Sequence, residues 1–587
     1  MVNPHLTHLE TSGLIQLAQE HPELEYLFRH ALVQDAAYGS LLLSDRKQMH
    51  STVAQVLEQI FGEQLDEMAA VIGYHWQLAQ EPQKALSYFM QAGDVAAKAY
   101  ANDEAVEHYG RSLTLAQQTV ADSNTLVHLC TALGRVLELQ SNYQQALAHY
   151  QAMGQLADQY SNQTLALAAL MGRTNLHVTV TPLNDLVLGE SLAQEAMALA
   201  KALDDQPAQI HLLWSMINFH FFSARPEKAI AMGREALLLA RKQGVIETEA
   251  YILNDLAQCL YNRGHIHESA KMAAEVRRLW QELNNLPMLI NSLGLSSQVA
   301  YFQGNYAQSI TLGKEGFNLG QAIGNPFAQA YAGAFAGLAY WKVGQASAGI
   351  TRLKTCLQLA ETVHFSLNQL VSNAYLALIL NDLGDRDEAL TRAQLAQKLV
   401  EQEWPTARVL IQGILILIQI GQGDLIAADT LIQQIKSEAF YVAQIGDISL
   451  IHLAEAMWLF KNGRYVQALT FIESHLATIH GQEATGFHPN YLFLKAQILI
   501  KTNQLVAAHA ALQEAQTLAR TQNNRQLLWQ ILAEEAMLLT TLGEPEMAQR
   551  LRQQIRHILT EIIANIPDEY RDSFRERVDV TAVLQTP

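Results

Sequence analysis

The stretch GHIHES, from Gly264 to Ser269, decides the fold because close copies of it follow at a fixed distance. Each copy opens with a small or turn-forming residue, called the slot here, and has a small residue five positions later. Successive slots are 40 residues apart, and once 39. A register held over seven steps indicates an internal repeat. The later copies are GNYAQS at Gly304, GQASAG at Gly344, GDRDEA at Gly384, GDLIAA at Gly423, GRYVQA at Gly463, NQLVAA at Asn503 and GEPEMA at Gly543.

The register also extends towards the N-terminus. Ala224 fills the slot before Gly264, Ser141 fills one two periods further upstream, and Tyr100 fills an earlier one. The copy near residues 181–183 departs from the pattern. The repeat therefore has about a dozen units.

Each unit predicts two helices, because apolar residues recur at three-and-four spacing on both sides of the slot. Glycine or asparagine at the slot suits the left-handed residue that ends a helix. The small residue five positions later lets the two helices approach closely. We therefore expect an all-α fold, a superhelical solenoid of about twelve helix-turn-helix repeats that bury a continuous core between neighbours.

Composition narrows the classes of partner. The chain has 587 residues, of which 49% are hydrophobic and 16% charged, and its net charge is -18. An acidic excess disfavours nucleic acid and anionic lipid as partners, because both require clustered Lys and Arg. We expect a protein or peptide ligand, with no nucleic acid and no membrane.

The sequence contains no strong pattern for catalysis, metal binding or disulfide formation. Cys130, Cys259 and Cys356 are far apart, so they predict buried thiols in a reducing, cytoplasmic compartment rather than a disulfide framework. The histidines are scattered, and no metal-ligand or nucleophile motif is present. We expect no catalytic activity, no cofactor and no metal.

The slot-plus-five pattern in GDRDEAL and SNYQQAL resembles the tetratricopeptide repeat, with units of about 40 residues instead of 34. Similar long units occur in the superhelical arms of bacterial STAND/AAA-type signalling ATPases, some of which are linked to an adenylate cyclase or a kinase. The resemblance assigns residues 63–560 to the solenoid. Residues 561–587, which are rich in charge, are expected to cap its last unit.

Residues 1–62 differ from the repeat and predict a helix, a short hairpin and two further helices. The segment ELEYLFRHALVQDAAYGSLL, residues 23–42, resembles the end of the winged-helix part of STAND-type ATPases. In that family a P-loop ATPase domain precedes it, but this chain contains no GxxxxGK[ST], and Gly313-Lys314 is the nearest fragment. The resemblance thus implies a winged-helix-like remnant that lacks the ATPase domain.

In the tetratricopeptide repeat, the first helix of each unit lines the concave groove. Carried over onto four successive units, this predicts a peptide- or protein-binding groove of amide and aromatic side chains. Asn218, Gln258 and Gln298 hold equivalent positions in three consecutive units, so their amides are expected to form a row. The predicted site is Trp214, Asn218, Phe221, Tyr251, Asn254, Gln258, Tyr261, Asn291, Gln298, Tyr301 and Trp341.

Several interpretations remain open. The groove residues could instead pack against neighbouring units. The favoured function is a scaffold or sensor arm that binds a peptide or protein and relays its presence to a P-loop ATPase, a cyclase or a kinase. The alternatives are a truncated part of a multidomain ATPase regulator, an array with a cryptic hydrolytic or transferase site, and a remnant without function.

Overall fold

The computed structural model divides into two compact units, one formed by Met1–Gln140 with Ala152–Ala168 and one formed by Ser141–Gln151 with Ala169–Pro587. Apart from one hairpin, the regular structure of the described residues is helical, so the predicted all-α solenoid of helix pairs is confirmed. The structure describes residues 3–19, 25–62, 64–119, 121–179, 181–223, 225–404, 407–437, 448–482 and 485–585.

The first unit begins with a helix, an antiparallel hairpin and two helices, which is the order that the sequence predicts. Helices α3 to α7 pack as successive neighbours. The boundary between the units passes through α8 and α9. The elements are α1 (Asn3–Thr11), β1 (Ile15–Gln19), β2 (Glu25–Phe28), α2 (Ala31–Ser40), α3 (Leu43–Ile60), α4 (Leu65–Leu78), α5 (Pro82–Lys98), α6 (Asn102–Thr119), α7 (Ser123–Leu139), α8 (Tyr143–Tyr160) and α9 (Gln163–Val178).

The second unit is a series of helix pairs, most of them with helices of 17 or 18 residues. A short 3-10 turn, Thr485–Phe487, precedes α25. Its helices are α10 (Leu186–Ala202), α11 (Gln206–Phe222), α12 (Pro226–Gln243), α13 (Ile246–Asn262), α14 (Ile266–Glu282), α15 (Leu286–Phe302), α16 (Tyr306–Ala322), α17 (Pro326–Lys342), α18 (Ala346–Thr362), α19 (Ser366–Leu383), α20 (Arg386–Gln402), α21 (Arg408–Gln422), α22 (Leu425–Lys436), α23 (Ile448–Lys461), α24 (Tyr465–Gln482), α25 (His488–Lys501), α26 (Leu505–Thr521), α27 (Arg525–Thr541), α28 (Pro545–Ala564), α29 (Asp568–Arg575) and α30 (Val578–Gln585).

The slots have the left-handed backbone that the sequence predicts. Every slot glycine from Gly264 to Gly543 has a positive φ, and so does Asn503 at 60°. Ala224 lies outside the described residues. The turns between units have the same geometry, because Asn284 and His364, each 20 residues after a slot, also have positive φ. The elementary period is therefore one helix and one left-handed residue, repeated every 20 residues.

The odd-numbered helices of the second unit form its inner layer. From α11 to α27 they contact one another across neighbouring pairs, in addition to contacting the even-numbered helices. Accordingly α15, α17 and α19 are buried on most of their surface, whereas α14 and α16 bury one face. A helix that is apolar nearly all round belongs to the interior of an assembly.

Within the second unit, later repeats also pack against earlier ones. The Tyr306 hydroxyl donates to the Gly486 carbonyl at 3.3 Å, across 180 residues. Thr485 Oγ1 donates to the Gln303 carbonyl at 2.7 Å, and Gln522 Nε2 donates to the Thr485 carbonyl at 2.8 Å. At 40 residues a unit, 180 residues is about four and a half units, so the superhelix is tight enough for successive turns to touch.

The C-terminal helices are part of this contact. Helices α29 and α30 pack on α28, and α29 also packs on α19. The Tyr570 hydroxyl donates to Glu388 Oε2 at 3.0 Å, and Lys354 pairs with Glu569 at 3.2 Å. The C-terminal helices thus contact α28 and also an earlier part of the second unit.

The N-terminal segment exposes apolar side chains. Helix α2 buries no residue, and α3 buries only Ala54. Leu32 is 81% exposed, Leu42 69% and Ile60 60%. Among the described helices, none is long and apolar enough to span a bilayer.

Candidate functional site

The predicted groove residues lie on the inner helices of the second unit. Trp214, Asn218 and Phe221 lie on α11; Tyr251, Asn254, Gln258 and Tyr261 on α13; Asn291, Gln298 and Tyr301 on α15; and Trp341 on α17. The structure separates them into a polar ridge on α11, α13 and α15, and an aromatic set inside the core.

Asp255 on α13 is the centre of the polar ridge. Its Oδ2 accepts a hydrogen bond from Trp214 Nε1 at 2.6 Å and another from Asn218 Nδ2 at 2.7 Å. Its Oδ1 accepts one from Asn254 Nδ2 at 3.1 Å. One carboxylate therefore joins α11 to α13 and holds three of the predicted site residues in place.

The ridge continues to α15 through Asn254. The Asn254 amide nitrogen also donates to Asn291 Oδ1 at 2.9 Å. Asn254 is 5% exposed, and its own Oδ1 is buried without a donor in the described part of the chain. A buried acceptor without a donor is uncommon, because it loses its hydrogen bonds to water and gains none in return.

Two of the three row amides are not used by the fold. Gln258 and Gln298 are partly exposed, and within the described residues neither side-chain amide has a hydrogen-bond partner. Asn218 instead donates to Asp255, so the row splits into one fixed amide and two free ones. A free amide can donate and accept at once, as the backbone of an extended peptide requires.

Aromatic rings border the ridge on one side. Trp214 and Tyr251 have ring centroids 4.7 Å apart, and His211 lies edge-on to Trp214 at 4.8 Å. Tyr251 also contacts Trp280, with centroids 4.9 Å apart. These contacts fix Tyr251 while its side chain stays partly exposed. Rigid aromatic side chains of this kind supply contact area at low entropic cost.

Tyr331 on α17 covers the middle of the ridge. A Cβ added to Gly294 would lie 2.7 Å from Tyr331 Cε1, so the ring rests directly on the glycine. Gly294 is between Asn291 and Gln298 along α15, on the same face. Burial raises the pKa of Tyr331, and the charge of Asp255 raises that pKa further. The hydroxyl is thus a neutral donor at neutral pH.

The other aromatic residues of the predicted site belong to the core. Tyr261 is 1% exposed, Tyr301 3% and Trp341 0%. Tyr261 packs against Phe302, and Trp341 Nε1 donates to Asp382 at 2.9 Å. These three side chains have almost no surface to offer a ligand, because neighbouring inner helices cover them. Phe221 is partly buried and packs on Phe222 at 5.1 Å.

Asp255 and Tyr331 are the residues of this site that the predicted set leaves out. Asp255 is next to Asn254, one step off the groove positions, and an acid at the middle of an apolar helix was the signal that could have identified it. Tyr331 holds a groove position in the fourth unit, beside a glycine in the third. Burial raises the pKa of the Asp255 carboxyl, while hydrogen bonds from Asn218, Asn254 and Trp214 act in the opposite direction.

Helix pairs that are closed by left-handed residues every 20 positions and stacked through their first helices define the repeat type. The fold is an all-α solenoid of tetratricopeptide-like helix pairs. No protein-family model matches the chain, and no curated protein matches it. The described residues contain no group of three or more His, Cys, Asp or Glu side chains that could hold a metal ion.

Three solved structures are similar in the arrangement of their helices. One is a Rap protein complexed with competence and sporulation factor, at 15% identity and a TM-score of 0.48 over 61% of this chain and 99% of that one. Another is the APC/C hetero-tetramer Cut9–Hcn1, at 13% identity and a TM-score of 0.42 over 94% of this chain and 99% of that one. The third is a STAND protein with a tetratricopeptide repeat sensor from Pyrococcus horikoshii, at 13% identity and a TM-score of 0.41 over 68% of this chain and 58% of that one. Likenesses at these identities concern the helix arrangement alone.

Proposed function

We propose that this chain is a protein-interaction module that binds an extended peptide segment of a partner along α11, α13 and α15. The observation that carries the proposal is the pair of unpartnered, partly exposed amides of Gln258 and Gln298. They lie beside a network in which Asp255 already fixes Trp214, Asn218 and Asn254, so only the two glutamines remain to be ordered when a ligand binds.

The same surface is suited to a peptide backbone. Each glutamine can donate one hydrogen bond and accept another, and the two side chains extend from consecutive inner helices. Tyr251 offers an aromatic face next to them, and Tyr331 offers a hydroxyl. Recognition through backbone hydrogen bonds and a few side-chain contacts is a common mode of peptide binding.

The test is capture followed by measurement of affinity. A photo-crosslinking amino acid introduced at Gln298 would covalently trap the bound segment in source cells, and mass spectrometry would identify it. The identified peptide is then titrated against the wild type and the Gln258→Ala, Gln298→Ala variant. Loss of two hydrogen bonds of about 0.5–1.5 kcal/mol each predicts a decrease in affinity of roughly 5- to 150-fold.

A matched control removes two amides from the outer helices. Gln281 on α14 and Gln321 on α16 are exposed, and their replacement by alanine should leave the affinity unchanged. If the two double variants bind the trapped peptide equally well, the inner amides are not its site. If no segment is trapped at Gln298, peptide binding in this groove is refuted.

A signalling role is the finer part of the proposal. The apolar surface of α2 and α3 supports a stable interface between residues 1–62 and a P-loop ATPase, cyclase or kinase module, to which the array would report peptide binding. Three buried cysteines that form no disulfide suit a reducing compartment such as the cytoplasm. Under this proposal the chain itself neither binds nor hydrolyses ATP.

This interface has its own test. The Leu42→Lys, Leu43→Lys variant changes two side chains that are 69% and 64% exposed, so the fold should tolerate it. Loss of a co-purifying ATPase, cyclase or kinase from the variant, with peptide affinity intact, is the expected result. An unchanged set of co-purifying proteins would refute the role of this surface.

A further inference from the structure

The hydrogen-bond partners of Asp255 among the described residues carry no positive charge. Its three hydrogen-bond donors, from Trp214, Asn218 and Asn254, are all neutral. Within the described residues, no Lys, Arg or His side chain forms an ion pair with it. The residue as a whole is partly buried between α11 and α13.

Other buried acids of the second unit have a cation nearby. Glu455 is 4% exposed and pairs with Lys436. Glu535 is 5% exposed, with His509 Nδ1 3.7 Å from its carboxylate. Burying a carboxylate is unfavourable unless it is paired and hydrogen-bonded. Asp255 accepts hydrogen bonds but has no positively charged partner among the described residues.

The Asp255 carboxylate can also accept a further hydrogen bond. An ionised carboxylate offers about four lone-pair sites, and Asp255 uses three of them, two on Oδ2 and one on Oδ1. The neighbouring Oδ1 of Asn254 has no donor in the part of the chain that the structure describes. A group with an N–H donor beside Oδ1 of Asp255 would therefore meet a free lone pair.

We infer that the segment bound along α11, α13 and α15 presents a cationic group, a lysine or arginine side chain or a free N-terminal ammonium, to Asp255. This inference rests on the proposed function and specifies the chemistry of its ligand. The net charge of -18 assists it, because an acidic surface attracts a basic segment before the specific contact forms. In this arrangement Gln258 and Gln298 bind the peptide backbone, and Asp255 binds the cationic group of the peptide.

The experiment is a positional-scanning library of synthetic pentapeptides, prepared with free and with acetylated N-termini and panned on the full-length chain. We expect enrichment of Arg or Lys at one position, or of the free amine at the first. Replacing that arginine by citrulline, or acetylating that amine, should reduce affinity about 10- to 100-fold on the wild type, as loss of a charge-assisted hydrogen bond would. This arm needs no variant protein, so it does not depend on how a variant folds.

Two variants test the contact itself. Asp255→Asn should abolish the preference for the charged peptide, and Asp255→Glu should keep it. Asp387 is exposed on α20, so Asp387→Asn makes the same change in net charge away from the groove and should have no effect. An equal decrease in Asp255→Asn and Asp387→Asn would show non-specific attraction and overturn the inference.

The outcomes separate this inference from the proposal on which it rests. Enrichment of neutral or acidic peptides whose binding requires Gln258 and Gln298 would overturn the cationic ligand and leave the peptide groove standing. Enriched basic peptides that bind Asp255→Asn as tightly as the wild type would also overturn it. A library with no enriched sequence would overturn both.

Discussion

Replacing Gly384 by alanine should loosen the C-terminal helices far from the mutated turn. Gly384 has φ of 91° and ψ of -3°, and a Cβ at this position would lie 2.8 Å from the carbonyl oxygen of Ser573. Gly423 has φ of 84°, and its Cβ would meet no atom within 4 Å. The two slots thus share a backbone conformation and differ in their surroundings, so Gly423→Ala is a matched control.

The expected loss of stability is the sum of a backbone contribution and a steric contribution. A left-handed backbone costs a non-glycine residue about 1–2 kcal/mol, and both variants carry this term. Gly384→Ala adds a steric clash with the Ser573 backbone, which cannot rotate away as a side chain would. Overpacking of this kind costs about 1–3 kcal/mol. This steric clash destabilises the contact of α19 with α29. Arg577 also donates to the Asp382 carbonyl there.

Hydrogen exchange measured by mass spectrometry reports this contact locally. An added 1–3 kcal/mol raises the population of the open state by roughly 5- to 150-fold, which should be visible in peptides that cover Asp568–Arg575. Gly423→Ala should leave those peptides unchanged and affect only its own turn. Equal exchange of α29 in the two variants would refute the claim that the superhelical turns are in contact there.

Two further predictions concern titratable groups. His50 Nδ1 and His75 Nδ1 are 2.9 Å apart, burial lowers the pKa of both rings, and for His75 the neighbouring His50 lowers it further. Because the folded pKa lies below the unfolded value of about 6.5, this stability is present above that pH and lost as the pH falls. The protection factors of the amides in α3 and α4, which compare observed exchange with the intrinsic exchange rate at the same pH, should therefore decrease from about pH 7 to pH 5, and less so in His75→Gln. Burial raises the pKa of Cys130 to about 11 and that of Cys356 to about 12, and it also raises that of Cys259. All three thiols should react with a thiol reagent at pH 8 only after denaturation, and a native thiol that reacts at once would contradict their burial.

Much of the candidate site could be predicted from the sequence, but its organisation could not. The spacing places Asn218, Gln258 and Gln298 on consecutive inner helices, as the structure shows. Which amide is fixed and which is free depends on Asp255, which lies outside the repeat's groove positions. Its contact with Trp214 spans 41 residues and requires the observed packing of α11 against α13.

The sequence by itself determined the repeat, its two helices and the left-handed slots, because these depend on local chemistry. A residue such as Gly384 closes a helix whatever surrounds it, and the apolar period of 3.6 residues orients each helix towards its neighbours. Only the tertiary structure decided which groove side chains stay accessible. Tyr251 stays partly exposed, whereas Tyr301 and Trp341 are buried by packing against neighbouring inner helices. The pitch of a superhelix is the sum of small rotations at many interfaces, and no single repeat encodes that sum.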